Sequence, residues 1–340
     1  MIHKRKKKSK IIAITMGDPG GIGPEVTLKA LAHPEIKKLA HRRGNKISFC
    51  ILGSPDIFAE NVRIIRPRLS CNVISCIDKT IVSSQKVNIL DLGDDAREVT
   101  IGTVSLANAV LAYHALEVGA QLAFHHIVDA LVTAPINKEA LQLFCPSFTG
   151  HTEYLARIAK IKKYAMLLMG GPLRVVLATM HMPLHKVSST LNQKDILTKI
   201  ELIDTFLKKQ LRIKKPIIGV AALNPHAGEG GKVGREEIEI ISPAIKKALR
   251  KGLRVRGPIP GDVIFHDAIK GKYDALLAMY HDQGLGPLKM LAFDKGVNIT
   301  LNLPFVRTSP DHGTAFDIAY KNKANPDSMI EAIKTAIQLI

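Results

Sequence analysis

The 340-residue sequence contains no tryptophan, and aromatic residues make up only 5% of it. Proteins whose main function is nucleic-acid binding commonly place aromatic side chains among their basic residues, where they stack on bases. This scarcity argues against a specific nucleic-acid partner, although the formal net charge is +18. The charge favours anionic small substrates or incidental contact with polyanions, because net charge concerns partners rather than fold.

Cysteine and long apolar runs are also scarce. The four cysteines, Cys50, Cys71, Cys76 and Cys145, form no C-x-x-C pair and lack common zinc-knuckle spacing, so we predict small core residues in a reducing compartment. No apolar run approaches the ~20 residues of a membrane-spanning helix. The run IIAIT near the N-terminus is too short for a secretory signal and is followed at once by GDPGG. We therefore predict a cytoplasmic protein with no membrane partner.

The sequence does have a basic N-terminus, because six of its 48 basic residues lie between His3 and Lys10. Low complexity predicts a disordered basic arm over residues 1–10. No proline- or serine-rich linker divides the remaining catalytic region, 11–340, so two lobes would have to interleave along the chain. We place one lobe at residues 11–135 plus 300–340 and the other at 136–299.

Short apolar runs alternate with helical patterns along the chain. Strands are predicted at residues 11–15, 47–52, 129–135, 165–170, 174–180, 217–223, 274–280 and 296–302. Helices are predicted at residues 24–39, 104–124, 195–209, 237–251 and 328–340, and another begins with a Ser54 cap and Pro55. In the long helix 104–124 the apolar stripe comprises Leu106, Val110, Tyr113, Leu116 and Leu122. Buried strands between amphipathic helices predict an α/β fold with a largely parallel sheet.

Three histidines follow predicted strands closely: His181 after RVVLATM, His226 after IIGVAALNP and His281 after DALLAMY. Ligands bind at the carboxyl ends of parallel strands, and three imidazoles meeting there would suit Zn²⁺ or Co²⁺. The spacing forms no ligand motif, however, and structural or hydrogen-bonding roles stay open. His266 ends the strand-like run DVIFH in the same way. The pair His281-Asp282 is also similar to that of helical metal-dependent phosphohydrolases, but here it follows a strand-like run.

Glycine-rich stretches lie beside the same strand ends, NPHAGEGG at 224–231 and YHDQGLGPLK at 280–289. Either stretch brings backbone N–H groups near an anion or is an ordinary loop. The stretch MGDPGGIGPEV at 16–26 lacks the third glycine of the dinucleotide fingerprint and the G-K-[ST] of a Walker A loop. It predicts a tight turn in which Gly23 is the N-cap and Pro24 the first residue of a helix.

That opening stretch resembles the GDGIGPEV of isopropylmalate and isocitrate dehydrogenases with two residues inserted, and SPDHGTAFDIA at 309–319 resembles their nucleotide-binding loop. GHTEYLA at 150–156, NPHAGEGG, YHDQGLGPLK and the segment 293–319 resemble the signatures of the 4-hydroxythreonine-4-phosphate dehydrogenase family. The similarity runs from Ile11 to the C-terminus. It implies a non-Rossmann, isocitrate/isopropylmalate dehydrogenase-like fold of two interleaved α/β/α lobes with the active site in the cleft.

The resemblance also implies an activity. Members of that family oxidise 4-phosphooxy-L-threonine with NAD or NADP, and the product loses CO₂ to give 3-amino-2-oxopropyl phosphate in pyridoxal 5'-phosphate biosynthesis. They are homodimers that share the active site and a divalent ion. The expected ion is Zn, Mg or Co, and its expected ligands are His181, His226 and His281.

Further residue roles are implied by the same resemblance. The expected substrate contacts are His151, Thr152, Lys289, Asn298 and Arg307. The expected cofactor contacts are Gly17, Ile22, Gly23, His312, Gly313, Thr314 and Ala315. Asp282 or Asp262 would orient a histidine or relay a proton, with a capping or turn role as the alternative. Lys289 would act as a base beside the ion or simply anchor the substrate.

Three alternative functions stay open. The first is a sister enzyme that oxidises D-threonate or D-erythronate 4-phosphate on the same scaffold. The second is a metal-dependent phosphatase or phosphate-ester lyase, which the three histidines also suit. The third is a non-catalytic polyanion-binding protein, and it depends only on the net charge and the basic arm.

Overall fold

The computed structural model describes residues 9–41, 46–78, 82–83, 85–93 and 95–340. They form two compact units: the first comprises the described residues up to Lys160 together with Leu303–Ile340, and the second is Ile161–Asn302. Of the predicted arm, Ser9 and Lys10 are described and Lys10 is the first residue of a strand, whereas residues 1–8 lie outside the described residues. No helix within the described ranges is both long and apolar enough to cross a bilayer.

The first unit has a parallel sheet with strand order β3-β4-β2-β1-β5-β12. Its strands are β1 (Lys10–Thr15), β2 (Ile47–Leu52), β3 (Cys71–Ile74), β4 (Val87–Leu90), β5 (Ala130–Thr133) and β12 (Val306–Pro310). Its helices are α1 (Gly23–Ala32), α2 (Pro34–Ala40), α3 (Pro55–Ile65), α4 (Leu106–Phe124), α5 (Lys138–Phe144), α6 (His151–Ile158) and α12 (Asp327–Leu339). Nearly every residue of β1, β2, β4 and β5 is buried, as expected for strands covered on both faces.

Two helix predictions for this unit are wrong. The predicted helix 24–39 is divided into α1 and α2 at His33, which is extended at φ −63° and ψ 133°. Pro34 explains the break, because the residue before a proline disfavours the helical conformation. The predicted apolar stripe of α4 is the second: Leu106 and Val110 do not belong to the buried face, because they are 52% and 39% exposed.

The buried face of α4 consists mostly of small residues. Ala109, Ala112, Ala115, Ala120 and Ala123 are all at most 2% exposed. A Cβ at Gly119 would lie only 2.9 Å from Leu131 Cδ1 of β5. Close approach of the helix to the sheet therefore selects alanine and glycine on this face, and the large apolar residues do not mark it.

The division between the units falls after Lys160, whereas the sequence suggested a lobe boundary at residue 135. Aromatic packing explains why α5 and α6 belong to the first unit. The ring of Tyr113 on α4 lies 5.4 Å from both Phe144 of α5 and Tyr154 of α6, each in an edge-to-face arrangement.

The second unit has a mixed sheet with strand order β11-β6-β7-β10-β8-β9. Its strands are β6 (Ala165–Gly170), β7 (Leu173–Leu177), β8 (Ile218–Ala221), β9 (Val255–Ile259), β10 (Ala275–Ala278) and β11 (Val297–Leu301). Its helices are α7 (Val187–Thr190), α8 (Gln193–Lys209), α9 (Ser242–Arg250), α10 (Gly261–Ile269) and α11 (His281–Ala292). The strands β7, β10, β8 and β9 are parallel, and β6 is antiparallel to both of its neighbours.

Two expectations for this unit are wrong. DVIFH is not a strand but part of α10, so His266 lies on a helix. Much of the glycine-rich stretch YHDQGLGPLK is not a loop but the start of α11, with Tyr280 as its N-cap. The predicted α/β class with a largely parallel sheet is confirmed.

Candidate functional site

The carboxyl edge of the second unit's sheet carries the three histidines. The strands β7, β10 and β8 are parallel neighbours, so the segments that leave them start at one edge. The ring centroids of His181 and His281 lie 5.5 Å apart. Two imidazoles bound tetrahedrally to one ion, with metal–nitrogen distances of about 2.1 Å, have centroids roughly 5 Å apart. These two side chains are therefore placed as a pair of metal ligands would be.

His226 lies on a turn with unusual backbone angles. Residues 226–230 all have positive φ, from 44° at Glu229 to 78° at Gly228. The His226 side chain is 71% exposed, and its Nδ1 lies 2.7 Å from Glu229 Oε1. Within the described part of the chain, no three histidine, cysteine, aspartate or glutamate side chains are grouped as a metal site requires. The structure thus brings His181 and His281 together, whereas the third expected ligand, His226, is hydrogen-bonded to Glu229.

The donor atoms of these histidines nevertheless fit a divalent ion. His281 Nδ1 lies 2.8 Å from Asp282 Oδ1, and His226 is paired through the same ring nitrogen with Glu229. A carboxylate on Nδ1 fixes the ring and leaves Nε2 as the ligating atom. The hydrogen bond to Glu229, and more weakly the charge of Asp262, raise the pKa of His226.

A buried polar network supports the segment that carries His226. Glu237 is 3% exposed, and its Oε1 accepts hydrogen bonds from the backbone N–H groups of Leu223 and Asn224 at 2.8 and 2.7 Å. Glu236 accepts hydrogen bonds from Asn224 Nδ2 and from the Ser188 hydroxyl. Since Ser188 lies beyond His181 on the segment after β7, this network links the segments of two histidines.

Gln283 links the other pair of segments. Its Oε1 accepts a hydrogen bond from the Met279 N–H, and its Nε2 donates to the Ala222 carbonyl, both at 2.6 Å. These bonds join the carboxyl ends of β10 and β8. Gln283 lies in the stretch YHDQGLGPLK, but no sequence pattern assigned it a role. The one signal for Glu236 and Glu237 was that they are consecutive glutamates after a glycine-rich turn.

Two expected substrate residues of the second unit lie on other elements. Lys289 is on α11, with its ammonium 5.4 Å from the ring centroid of Phe293. Asn298 is on β11, and its Nδ2 donates to Met166 Sδ at 2.9 Å. Asn298 Oδ1 is buried and has no hydrogen-bond partner among the described residues. A buried amide oxygen of this kind suits a position where a ligand donates a hydrogen bond.

The first unit holds a basic cluster at the start of α6. Arg307 on β12 is 2% exposed, and its Nε and Nη2 donate to Thr133 Oγ1 at 3.2 and 2.6 Å. His151 is the first residue of α6, and the N-cap Gly150 provides no side-chain cap. His151 Nε2 is buried and, among the described residues, has no hydrogen-bond partner. The backbone N–H groups at a helix start are a favourable place for an anion.

The electrostatics of this cluster also favour an anion. Burial, followed by the charges of Arg307 and Lys138, holds the pKa of His151 well below its ordinary value. Burial lowers the pKa of the Arg307 guanidinium to about 9, against the opposing effect of Glu153. Thr152, the second residue of α6, is 7% exposed. An anionic group bound here would offset the cost of keeping the guanidinium charged away from water.

Two loops of the first unit pack together: the opening glycine loop, within residues 16–26, and the late loop, which contains the His-Gly-Thr-Ala sequence at 312–315. The Ile22 N–H donates to the Thr314 carbonyl at 2.9 Å. A Cβ at Gly17 would lie 2.4 Å from the Pro135 carbonyl oxygen, and one at Gly23 would lie 2.6 Å from that of Met16. The protein's own backbone therefore requires these glycines. The helix begins at Gly23 with Ile22 as its N-cap, so the predicted N-cap at Gly23 is one residue late.

The late loop is more open than the opening loop. Gly313 is exposed, and no neighbouring atom lies within 4 Å of a Cβ placed there. Next to it, His312 Nδ1 lies 3.0 Å from the Gly313 carbonyl oxygen, and Ala315 is left-handed at φ 42°. Of the expected cofactor residues, Gly313 thus borders open space, whereas Gly17 and Gly23 are enclosed.

Comparison with known proteins gives a consistent result. The sequence pattern of "PdxA: Pyridoxal phosphate biosynthetic protein PdxA" matches residues 45–336. The chain is 42% identical to a D-threonate 4-phosphate dehydrogenase of Pectobacterium atrosepticum, over 97% of this chain and 99% of that protein. It is 41% identical to a 4-hydroxythreonine-4-phosphate dehydrogenase of Desulforapulum autotrophicum, over 96% of this chain and 94% of that one.

A solved structure of a similarly named protein is also similar to this chain. The crystal structure of a 4-hydroxythreonine-4-phosphate dehydrogenase from Klebsiella pneumoniae has a TM-score of 0.85 and 40% sequence identity to this chain. The match covers 98% of this chain and 100% of that one. On the family pattern and on identities near 40% over nearly the full length, this chain belongs to the pyridoxal phosphate biosynthetic protein PdxA family.

Proposed function

We propose that this protein oxidises 4-phosphooxy-L-threonine with NAD or NADP to 2-amino-3-oxo-4-phosphooxybutanoate, which loses CO₂ to give 3-amino-2-oxopropyl phosphate. The reaction would serve pyridoxal 5'-phosphate biosynthesis. The observation that carries the proposal is the pairing of His181 and His281 at the carboxyl edge of parallel strands, in a chain of the PdxA family. The proposal includes a cytoplasmic homodimer whose subunits share the active site.

The proposed metal ligands lie in the second unit. His181, His226 and His281 would hold Zn, Mg or Co, and such an ion would supply Lewis-acid chemistry for the oxidation and the decarboxylation. Asp282 holds the His281 ring through Nδ1, so that Nε2 is directed away from that carboxylate. Lys289 would anchor the substrate or accept its proton, and Asn298 Oδ1 would accept a hydrogen bond from it.

The residues proposed to bind an anionic group lie in the first unit. Arg307, held by Thr133, would donate two hydrogen bonds to phosphate or carboxylate oxygens, for which its planar guanidinium is suited. The His151-Thr152 start of α6 would add backbone N–H groups. The nicotinamide cofactor would approach the open backbone at Gly313, beside Thr314.

A second candidate reaction is the oxidation of D-threonate or D-erythronate 4-phosphate. The observation that favours it is the 42% identity to a protein named D-threonate 4-phosphate dehydrogenase. Measuring NADH or NADPH formation with each phosphorylated substrate decides between the two. Turnover with 4-phosphooxy-L-threonine supports the first reaction, and turnover with the D-acids alone supports the second.

The metal role is tested by replacing single histidines. His226→Ala should abolish metal-dependent turnover and weaken binding of Co²⁺ or Zn²⁺ to the purified protein, with the fold intact by circular dichroism. His266→Ala is a matched control, because His266 is 64% exposed on α10. Full activity after removal of metal by a chelator would refute the metal-dependent reaction.

A further inference from the structure

The amino edge of the second unit's sheet carries a dense group of exposed basic side chains. The helices α8, α9 and α10 return to β8, β9 and β10 through short segments. Because these strands are parallel neighbours in the order β10-β8-β9, the segments lie side by side, at the edge opposite to the histidines. We call their exposed basic residues the basic edge: Lys208, Lys209, Arg212, Lys214, Lys215, Arg250, Lys251, Arg254, Lys270 and Lys272.

Few acidic side chains neutralise the basic edge. Lys208 pairs with Asp204, Lys251 with Glu201 and Lys272 with Asp267. The other seven cations of the basic edge have no acidic partner among the described residues. The segments before β8 and β9 are linked by a hydrogen bond, because Arg254 Nη1 donates to the Lys215 carbonyl at 2.7 Å. The result is a group of exposed positive charges at one edge of this unit's sheet.

Helix ends explain only part of this array. Basic residues in the last turn of a helix complement its dipole, which accounts for the basic residues at the ends of α8 and α9. It does not account for the cations that lie beyond the helices: Arg212, Lys214, Lys215, Lys251, Arg254, Lys270 and Lys272. Neighbouring strands lie about 4.8 Å apart. Cations spread over three adjacent strands therefore match the few-ångström spacing of phosphates along a nucleic-acid strand.

We propose that the basic edge binds the phosphate backbone of nucleic acids without sequence preference, separately from the proposed dehydrogenase reaction. Guanidinium groups at Arg212, Arg250 and Arg254 suit phosphate oxygens. The sole aromatic residue on these segments, Tyr273, is partly buried against the core, so base stacking contributes little and phosphate contacts dominate.

A nucleic acid fits this edge better than an anionic membrane. Stable membrane attachment needs an apolar signal in addition to a polybasic patch. The large apolar side chains exposed here, Leu249 and Ile269, are 49% and 48% exposed and belong to two different helices. They form no apolar face that a bilayer would take up.

The test uses the full chain and a fluorescent single-stranded RNA of mixed sequence, with binding followed by anisotropy. The variant Arg212→Gln/Lys214→Gln/Lys215→Gln/Lys270→Gln should bind roughly tenfold or more weakly, with a salt slope shallower by about 3 between ~50 and ~200 mM salt. The matched control removes four exposed cations of the first unit, Lys38→Gln/Arg63→Gln/Lys86→Gln/Lys160→Gln. It should bind within about threefold of the unaltered protein, because those cations lie outside the basic edge.

Further measurements keep the outcomes distinct. Thermal unfolding of both variants shows whether they remain folded. Equal losses of RNA affinity in the two variants would overturn the proposal, because net charge alone would then explain binding. If RNA affinity falls only when residues 1–8 are deleted, binding belongs to the N-terminal arm and the proposal is also overturned. Binding to phosphatidylglycerol vesicles without binding to RNA would overturn it in favour of a lipid surface.

Discussion

Glu237 holds Asn224 through both its backbone and its side chain: Oε1 accepts from the Asn224 N–H at 2.7 Å, and Oε2 accepts from Asn224 Nδ2 at 2.9 Å. A Cβ at Gly228 would lie 2.7 Å from Glu237 Oε2, so the turn after His226 packs closely on the same carboxylate. A buried carboxylate saturated with donors is costly to disturb, because any donor left without it stays buried and unsatisfied. Glu237 therefore fixes the backbone from which His226 extends.

Replacing Glu237 by Gln should weaken both the fold and metal binding. The amide has one acceptor oxygen in place of two, and its NH₂ group would face Asn224 Nδ2. We expect the free energy of unfolding to fall by about 2 kcal/mol and the affinity for Co²⁺ to fall roughly 10-fold or more. Urea unfolding and titration of the Co²⁺ absorption bands measure the two effects.

The control for this substitution is Glu239→Gln on the same π-helical turn. Glu239 is 56% exposed and pairs with Arg235. Its replacement should change stability by no more than about 0.5 kcal/mol. If the two variants unfold at the same urea concentration, Glu237 does not hold the turn.

Gln283 offers a test of the link between β10 and β8. Gln283→Met keeps the length of the side chain but loses the bonds to Met279 and Ala222, which should cost about 1–3 kcal/mol of unfolding free energy. Gln283→Glu should cost more at neutral pH, because a carboxylate oxygen would then face the Ala222 carbonyl oxygen that Nε2 now meets at 2.6 Å. Urea unfolding of both variants checks this order, and a Glu variant as stable as the wild type would contradict it.

The strand ends show what the sequence could predict. The runs that became β7, β8 and β10 are short and apolar, and parallel strands place their carboxyl ends at one edge of the sheet. This pattern is sufficient to predict that His181 and His281 lie near each other. Position on an edge follows from such a pattern, but the direction of the His226 side chain depends on five successive left-handed residues that no periodicity reveals.

Other features depend on contacts between distant residues. Gly284, Gly286 and Pro287 predicted a loop, yet they lie within α11. A Cβ at Gly284 would lie 2.7 Å from Leu177 Cδ2 of β7, so here glycine permits close helix packing and is not a turn signal. The bonds from Glu237 to the segment after β8 likewise follow from folding and not from local sequence.

Arg307 is tested with a substitution that keeps its charge. Arg307→Lys loses the fork that reaches Thr133 Oγ1 at 3.2 and 2.6 Å, so one ammonium must replace several directed donors. We expect KM for the phosphorylated substrate to rise roughly 10- to 100-fold, as loss of a charged hydrogen bond predicts. Arg157→Lys is the matched control, since Arg157 is exposed on α6 and lies over the Tyr154 ring. Equal KM values for the two variants would exclude Arg307 from binding substrate.

Asp18 in the opening loop provides a test based on pH. It is 1% exposed, and its Oδ1 accepts a hydrogen bond from the Gly20 N–H at 2.9 Å. Burial raises its pKa from 3.8 to about 6, although the hydrogen bonds from Gly20 and Asn108 oppose the shift. Between these two values the folded protein binds more protons at Asp18 than the unfolded chain does. The contribution of Asp18 to stability therefore falls as pH rises from about 4 to about 6, and it is constant above that range.

Asp18→Asn removes this titration while keeping an oxygen that can accept the Gly20 hydrogen bond. The unfolding free energy of the variant minus that of the wild type should increase by about 2 kcal/mol between pH ~4.5 and pH ~7.5, because ionised Asp18 is disfavoured only in the folded protein. Urea unfolding at several pH values measures the difference, which cancels the titration of other groups. Asp294→Asn, at an exposed position, should show a difference that changes by less than about 0.5 kcal/mol over the same range. A flat difference for Asp18→Asn would mean that Asp18 keeps its ordinary pKa in the folded protein.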